Sequence, residues 1–301
     1  MAKSDSFFGL RRGSTKTLTF SVLKGKQITK DRVEGGRNPR TPEQMVQRMC
    51  MATASAAYAQ MKQIVDHSFE GITYGQTTMS EFIRVNADAL RQNYLAGEYK
   101  FAYNPYRDRL MYAGEYIMSR GSASPIISGY EFSQLSNRQQ VLVCQNSDGN
   151  INADFVMNAL GVEVGDMCTF ITLTQRDTDA SFVFDFFRLT FLKGGDTTLT
   201  PANYAEYIKV ESNNQRVSVT IDSRVGDNPA KFRIFYVVED SIQGDAIYGC
   251  AIHSKKYAGK WLRSNASINI GAAELSPYAV DALETYPIGP SYVLNGGNIE
   301  E

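Results

Sequence analysis

The stretch MCTFITLTQRDTDASFVFDFFRLTF, residues 167–191, indicates the fold class of this 301-residue chain most clearly. It holds two runs rich in Phe, Thr and aliphatic residues, Met167 to Thr174 and Phe182 to Phe191, a composition typical of β-strands. Asp177 and Asp179 lie in the polar segment between the runs, where such residues favour a turn. The stretch therefore predicts two strands.

Further strand-like runs, separated by Gly, Asp and Asn, lie on both sides of this pair. They are Val141 to Cys144, Arg216 to Ile221, Phe232 to Val238, Ile247 to His253 and Ala266 to Ile270. The segment Asn152 to Leu160, ended by Gly161, predicts a short helix that covers the strands as a lid. Seven strands over residues 137–275 predict an antiparallel, Ig-like β-sandwich, or a pair of small β-domains.

The N-terminal part has a different pattern. Leu18, Phe20 and Val22 alternate with Ser and Thr, and Gly25 follows, so residues 14–33 predict a β-hairpin. Gly35 to Arg40 is interpreted as a flexible connector. Residues 1–40 are therefore expected to form a basic hairpin arm.

Two helices are predicted over residues 41–97. Thr41-Pro42-Glu43-Gln44 is a capping box with Pro at the first helical position, and the helix is expected to end near Asp66. Thr78-Met79-Ser80-Glu81 repeats this capping pattern, and its helix is expected to run to Gly97. Apolar faces are expected in both helices. The first has Val46, Met49, Thr53, Ala56, Ala57, Gln60, Met61 and Ile64, and the second has Phe82, Val85, Ala89, Leu90 and Leu95.

Residues 98–136 are rich in Tyr and show no clear periodicity, so they predict a linker or an irregular packed arm. Residues 276–301 are expected to be a C-terminal tail with a short helix. The whole chain is therefore predicted to be α+β: a basic β-hairpin, an αα-hairpin, an irregular arm and a C-terminal β-sandwich.

Composition argues against several classes of protein. His67 and His253 are the two histidines, and the four cysteines (Cys50, Cys144, Cys168, Cys250) lie far apart, so the sequence predicts no metal site and no disulfide framework. The sequence has no Walker loop, dinucleotide fingerprint or Gly-x-Ser-x-Gly elbow, and no cofactor is expected. A signal peptide and a membrane span are not expected either, because the apolar runs are too short.

Candidate catalytic groups are weak. Asp177, Asp179, Glu239 and Asp240 lie in predicted turns, where solvated carboxylates are the ordinary case. His67 follows Asp66 at a predicted helix end, where an imidazole stabilises the helix dipole. Cys250 and His253 are separated by an odd number of strand positions, which places them on opposite faces and disfavours a dyad. The chain is therefore predicted not to be an enzyme.

Charge is distributed unevenly along the chain. Residues 1–48 carry a net charge of +7 and residues 49–301 carry −8, although the whole chain has a net charge of −1. An arm of this kind is expected to bind a polyanion or an acidic partner subunit. The candidate binding residues are Arg11, Arg12, Lys16, Lys24, Lys26, Lys30, Arg32, Arg37 and Arg40, and Phe7 and Phe8 are candidates for stacking on bases.

A second basic cluster surrounds the single Trp of the chain. Its members are Lys255, Lys256, Lys260, Trp261 and Arg263. The cluster is either a binding surface or a β-turn in which Trp261 covers the edge of the core and the cations are solvated, and the second interpretation is the commoner outcome.

Motifs at both ends of the chain resemble an uncharacterised family of proteins encoded by phages and prophages of Bacteroidetes-type bacteria. They are Gly13, Lys24-Gly25-Lys26-Gln27, Pro39 to Gln44, Arg48, Gly165-Asp166, Ser254-Lys255-Lys256 and Gly259 to Ser264. The resemblance leaves the middle of the chain uncovered and supplies no catalytic residue. It implies a viral origin and a virion or DNA-handling context.

Two functions follow as the main hypotheses, and an enzyme that acts through carboxylates of the β region is the third and least favoured. The first is a non-enzymatic virion structural or assembly protein, a homo-oligomer or a subunit that docks on others through its basic arm, in the virion or the host cytoplasm. The second is a nucleic-acid-binding protein that uses the same residues on DNA, with an affinity that falls steeply as salt rises.

Overall fold

The structure of the chain is a computed structural model. It describes residues 2–4, 13–23, 26–32, 42–72, 77–95, 101–104, 109–112, 114–126, 130–135, 138–175, 182–239 and 245–270. The helices within these residues are α1 (Pro42–Val65), α2 (Thr78–Leu95) and α3 (Ala153–Leu160), with a 3-10 turn at Tyr204–Glu206. The strands are β1 (Ala2–Ser4), β2 (Gly13–Ser14), β3 (Leu18–Leu23), β4 (Lys26–Asp31), β5 (Phe101–Asn104), β6 (Arg109–Tyr112), β7 (Gly114–Ser119), β8 (Glu131–Leu135), β9 (Arg138–Asn146), β10 (Met167–Gln175), β11 (Phe182–Phe191), β12 (Ile208–Ser212), β13 (Val217–Asp222), β14 (Ala230–Tyr236), β15 (Ala246–Tyr257), β16 (Lys260–Arg263) and β17 (Ala266–Ile270).

Two antiparallel sheets form the centre of the molecule. A five-stranded sheet has the order β12-β11-β10-β15-β16, and a four-stranded sheet has the order β13-β14-β9-β8. Phe170 and Phe187 of the first sheet share one buried core with Val141 and Phe232 of the second. The predicted α+β class with sandwich-like sheets is therefore confirmed.

The five-stranded sheet is buried on both faces. Its second face, with Ile171 and Ile252, packs against Ala57 and Met61 of α1 and Phe82 of α2. Eight of the nine residues of β10 are consequently buried, and apolar residues and Thr run through it without strict alternation. The layers are thus helices, a five-stranded sheet and a four-stranded sheet.

The helices begin close to the predicted positions. α1 begins at Pro42, as predicted, and ends at Val65; Thr41 lies outside the described residues. The cap of α2 is Thr77, one residue before the expected Thr78, because the Thr77 Oγ1 atom accepts a hydrogen bond from the Ser80 amide at 3.1 Å. Glu81 binds Arg84 at 2.6 Å, so its carboxylate forms a salt bridge on the helix surface.

The third helix matches the sequence in detail. The Asn152 Oδ1 atom accepts a hydrogen bond from the Phe155 amide at 2.7 Å, and Gly161 ends the helix with a φ of 71°. Val156 and Leu160 are buried in the core between the sheets. The predicted lid on the sandwich is confirmed.

The prediction of an irregular segment over residues 98–136 is wrong. This segment contains β5 to β8, and β7 pairs with β17, so the predicted strand Ala266 to Ile270 lies outside the two central sheets. Asn86 of α2 explains part of the ordered structure of β7, and its side chain is fully buried. The Asn86 Oδ1 atom accepts a hydrogen bond from the Ile117 amide at 2.8 Å, and its Nδ2 atom donates to the Ile117 carbonyl at 3.1 Å. A contact from a distant helix leaves no periodic signal in the strand itself.

Residues of the expected N-terminal arm form a four-stranded sheet with the order β1-β4-β3-β2. Leu18 of β3 lies opposite Asp31 of β4, and Leu23 lies opposite Lys26. The expected turn at Gly25 lies outside the described residues, as does the predicted C-terminal tail 276–301.

Candidate functional site

A cleft of about 680 Å³ lies where the end of α1 meets the β15–β16 edge of the five-stranded sheet. Three elements contribute its polar side chains: the segment after α1, strand β11 and strand β16. The lining residues are Asp66, His67, Phe69, Glu70, Gly71, Ile72, Met167, Arg188, Lys260, Trp261, Leu262 and Arg263. Its volume is in the range of small-molecule sites.

The hairpin of β15 and β16 places the aromatic and cationic groups of the cleft. Its turn uses Ala258 and Gly259, with φ values of 47° and 78°, so the chain reverses within two residues. Lys256 then pairs with Trp261, and Ser254 pairs with Arg263. Because side chains alternate along a strand, Trp261 and Arg263 lie on the same face of the sheet.

Contacts with His67, Glu70 and Trp261 hold Arg263 in place. Its Nε atom donates to the His67 carbonyl at 2.8 Å, and its backbone amide donates to the Glu70 carboxylate. The guanidinium lies over the Trp261 ring, 5.3 Å from its centroid. Gly121 packs directly against this segment, and a Cβ atom at Gly121 would overlap with the Arg263 carbonyl and the Glu70 carboxylate. These contacts fix the guanidinium at the cleft.

Arg188 reaches the same cleft from β11. Its nearest carboxylate among the described ion pairs is that of Glu211, at 3.8 Å, and its guanidinium lies 5.7 Å from the centroid of the Phe186 ring. The Arg188 Nε and Arg263 Nη1 atoms are both buried and have no hydrogen-bond partner among the described residues. Burial and the charge of Arg188 lower the pKa of Arg263, while Glu70 opposes this effect.

The second basic cluster of the sequence is divided by the fold. Lys260, Trp261 and Arg263 line the cleft, whereas Lys255 points to the opposite face and binds Glu163 at 2.8 Å. Trp261 is 38% exposed, so it is available at the surface of the cleft. The sequence did not indicate Arg188, because this residue lies inside a predicted strand with no basic neighbours.

The described basic residues of the N-terminal part are not among the residues that line this cleft. Lys16, Lys26, Lys30 and Arg32 are exposed. Lys26 and Lys30 occupy alternate positions of β4 and therefore share one face, with Ile28 between them. Outside the described residues are Arg11, Arg12, Lys24, Arg37, Arg40, Phe7 and Phe8.

A buried Asp–His pair lies between the start of β10 and β15. The His253 Nε2 atom is 2.9 Å from the Asp166 Oδ2 atom, and the His253 Nδ1 atom is 2.8 Å from the Ser124 carbonyl oxygen. Since a carbonyl only accepts, Nδ1 is the donor to Ser124, and Nε2 faces the Asp166 carboxylate. Both side chains are almost completely buried, at 4% and 5% exposure. The sequence showed Gly165-Asp166 before a strand but gave no sign of this partner.

The other candidates of the sequence can be located in part. Cys250 belongs to the core between the five-stranded sheet and the helices. His253 pairs with Cys168, whose side chain belongs to the core between the two sheets. The expected placement of Cys250 and His253 on opposite faces of the sheet is therefore confirmed. Glu239 binds Arg216 at 2.8 Å on the surface, and His67 is exposed after α1. Asp177, Asp179 and Asp240 lie outside the described residues.

Within the described ranges, His, Cys, Asp and Glu side chains do not gather in any group of three or more that could hold a metal ion. In the same part of the chain, none of the helices has the length and apolar character that crossing a membrane requires.

Comparison with known proteins finds no protein-family model, no curated protein and no solved structure that matches this chain.

Proposed function

We propose that this protein is a non-enzymatic, phage-type virion structural or assembly protein that docks on neighbouring subunits through its basic N-terminal sheet. The observation that carries the proposal is the arrangement of β1 to β4. These strands pair with one another and present Lys26 and Lys30 on one face, with Lys16 in the turn before β3 and Arg32 just after β4.

Charge complementarity supports docking between copies of the chain. Residues 1–48 carry +7 and residues 49–301 carry −8, so the N-terminal part of one copy is attracted to the body of another. Contacts of exposed charges are weakened by salt. The proposed assembly is therefore a homo-oligomer whose stability depends on ionic strength.

The proposal also covers the location of the protein and the topology of its sandwich. A virion subunit is found in the particle or in the cytoplasm of its bacterial host, without a signal peptide. An Ig-like relationship of the sandwich is also proposed, since five and four antiparallel strands face each other across one core.

Size-exclusion chromatography with light scattering tests the docking proposal. The wild-type chain is expected to form oligomers at low salt and to dissociate at high salt. The double variant Lys26→Glu/Lys30→Glu is expected to be monomeric at both, because it reverses the charge of the two exposed lysines of β4. The matched control Lys26→Arg/Lys30→Arg keeps the charge and should still assemble. A wild-type chain that is monomeric at every concentration and salt would refute the proposal.

The second candidate function is nucleic-acid binding through the same face. Lys26 and Lys30 are four strand residues apart, about 13 Å, so both side chains can reach one phosphate backbone. In this case the wild-type chain should bind DNA with an affinity that falls steeply with salt, and Lys26→Glu/Lys30→Glu should reduce both the affinity and the salt dependence. DNA affinity that is unchanged in the double variant would exclude this use of the sheet.

A further inference from the structure

Two arginines that line the cleft between α1 and β16 each carry a buried hydrogen-bond donor with no acceptor among the described residues. The donors are the Nε atom of Arg188 and the Nη1 atom of Arg263. A buried donor without a partner destabilises the fold, and more so when the group is charged. Two such donors at one cleft indicate a place for an acceptor that comes from outside the chain.

The charge of the cleft specifies the sign of that acceptor. Arg188, Lys260 and Arg263 line the cleft together with Asp66 and Glu70. Both carboxylates already accept hydrogen bonds from neutral groups. Asp66 accepts from the Tyr58 hydroxyl, and Glu70 accepts from the Ser122 hydroxyl at 3.0 Å and from the Arg263 amide. Among the described ion pairs, none includes Arg263 or Lys260. The cleft therefore favours an anion.

The placement of the donors on two different strands favours a phosphate. A planar carboxylate is held best by the two parallel N–H groups of one guanidinium. Here the free donors belong to two guanidinium groups on different strands, β11 and β16, and the Lys260 ammonium adds a third charge. A tetrahedral oxyanion has oxygens that can accept from several directions at once.

The size and the apolar lining of the cleft indicate that the ligand has an organic part as well as a phosphate. The cleft of about 680 Å³ is much larger than a phosphate group, and Phe69, Ile72 and Trp261 contribute apolar surface to it. The Trp261 ring is partly exposed and is held in place by the guanidinium of Arg263. A planar group on the ligand can lie against this ring.

We propose that this cleft binds a small phosphate monoester, with its phosphate at Arg188, Arg263 and Lys260 and its organic group along Trp261. None of the described residues of the N-terminal sheet lines the cleft, so the proposal does not depend on the docking function. It requires only that the guanidinium groups of β11 and β16 act on one ligand.

Two titrations of the full chain test this proposal. In the first titration, adenosine monophosphate, adenosine and inorganic phosphate are compared by calorimetry. In the second, ribose 5-phosphate binding is followed by tryptophan fluorescence. Trp261 is the only Trp of the chain, so its fluorescence reports on the cleft directly. Adenosine monophosphate is expected to bind most tightly, adenosine weakly, and inorganic phosphate with intermediate affinity. If adenosine binds as well as adenosine monophosphate, the phosphate assignment is wrong.

Variants of the two arginines locate the binding. Arg188→Gln is expected to weaken adenosine monophosphate about ten- to hundredfold, the equivalent of one charged hydrogen bond. Arg188→Lys keeps the charge and should lose less, which separates binding from misfolding. Arg138→Gln, on the exposed part of β9, is the matched control and should bind as the wild type does. Equal affinity of Arg188→Gln and the wild type would overturn the proposal.

Discussion

Asp185→Asn is expected to stabilise the protein at neutral pH. Asp185 lies on β11, faces the second sheet beside Phe187 and is only 5% exposed. Its Oδ1 atom accepts from the Asn214 amide group at 3.2 Å, but its buried Oδ2 atom has no partner among the described residues. Burial raises the pKa of Asp185 from 3.8 to about 6, and the hydrogen bond from Asn214 opposes this only in part.

The direction of the pH dependence follows from proton uptake. Between pH 3.8 and about 6 the folded chain holds a proton that the unfolded chain has released, so stability falls as pH rises through this window. The difference between the two pKa values corresponds to about 3 kcal/mol. Asn cannot ionise and keeps the carbonyl that Asn214 binds, so Asp185→Asn should be more stable than the wild type by about 2–3 kcal/mol above pH 6 and nearly equal to it at pH 4.

Urea denaturation at a series of pH values measures this difference directly. The variant Asp196→Asn is the matched control, because Asp196 is exposed and its replacement makes the same chemical change outside the core. A stability difference for Asp185→Asn that is the same at pH 4 and pH 7 would refute the reasoning, since the effect would then not come from ionisation.

Two further substitutions test the core. Asp166→Ala leaves His253 buried without its partner and should lower the free energy of unfolding by about 3–5 kcal/mol. In urea denaturation, the effects of Asp166→Ala and His253→Leu should be strongly non-additive when the two are combined. Simple additivity would mean that the pair does not interact. Gly249→Ala places a Cβ atom into the Phe132 ring of the facing sheet and should cost about 1–3 kcal/mol. Gly149→Ala, whose nearest neighbouring atom would be at 3.6 Å, is its control, and equal melting temperatures for the two variants would contradict the close approach.

Local signals predicted the elements that depend on local interactions. Asn152 and Gly161 mark the two ends of α3, and the structure has that helix between them with the expected caps. The runs within residues 167–191 became the adjacent strands β10 and β11, with bounds within one residue of those predicted. The capping residues of α3 lie within a few residues of the backbone groups they bind, and β10 and β11 follow one another in the chain, so both structures depend on residues that are close in sequence.

Sequence patterns did not reveal contacts between distant parts of the chain. Asn86 looks like any polar residue of a helix, yet it binds the backbone of Ile117 and so helps to order β7. Asp166 and His253 are 87 positions apart, and no spacing rule connects them. Strand β7 was missed for the same reason, because its partner β17 lies far along the chain. The pairs β5–β6 and β8–β9 are local, and they were missed because their short sequences show no clear alternation.

The sequence by itself determined the local elements, the uneven distribution of charge and the presence of a basic cluster around Trp261. Only the tertiary structure decided which cations of that cluster act together. Alternation along β16 placed Trp261 and Arg263 on the cleft side, and Lys260 lines the cleft from the start of the same strand. Lys255 of β15 points to the opposite face and binds Glu163, while β11 brought Arg188 to the cleft. The physical reason is that a cleft is defined by side chains that converge in space, and strand pairing sets that convergence through long-range contacts.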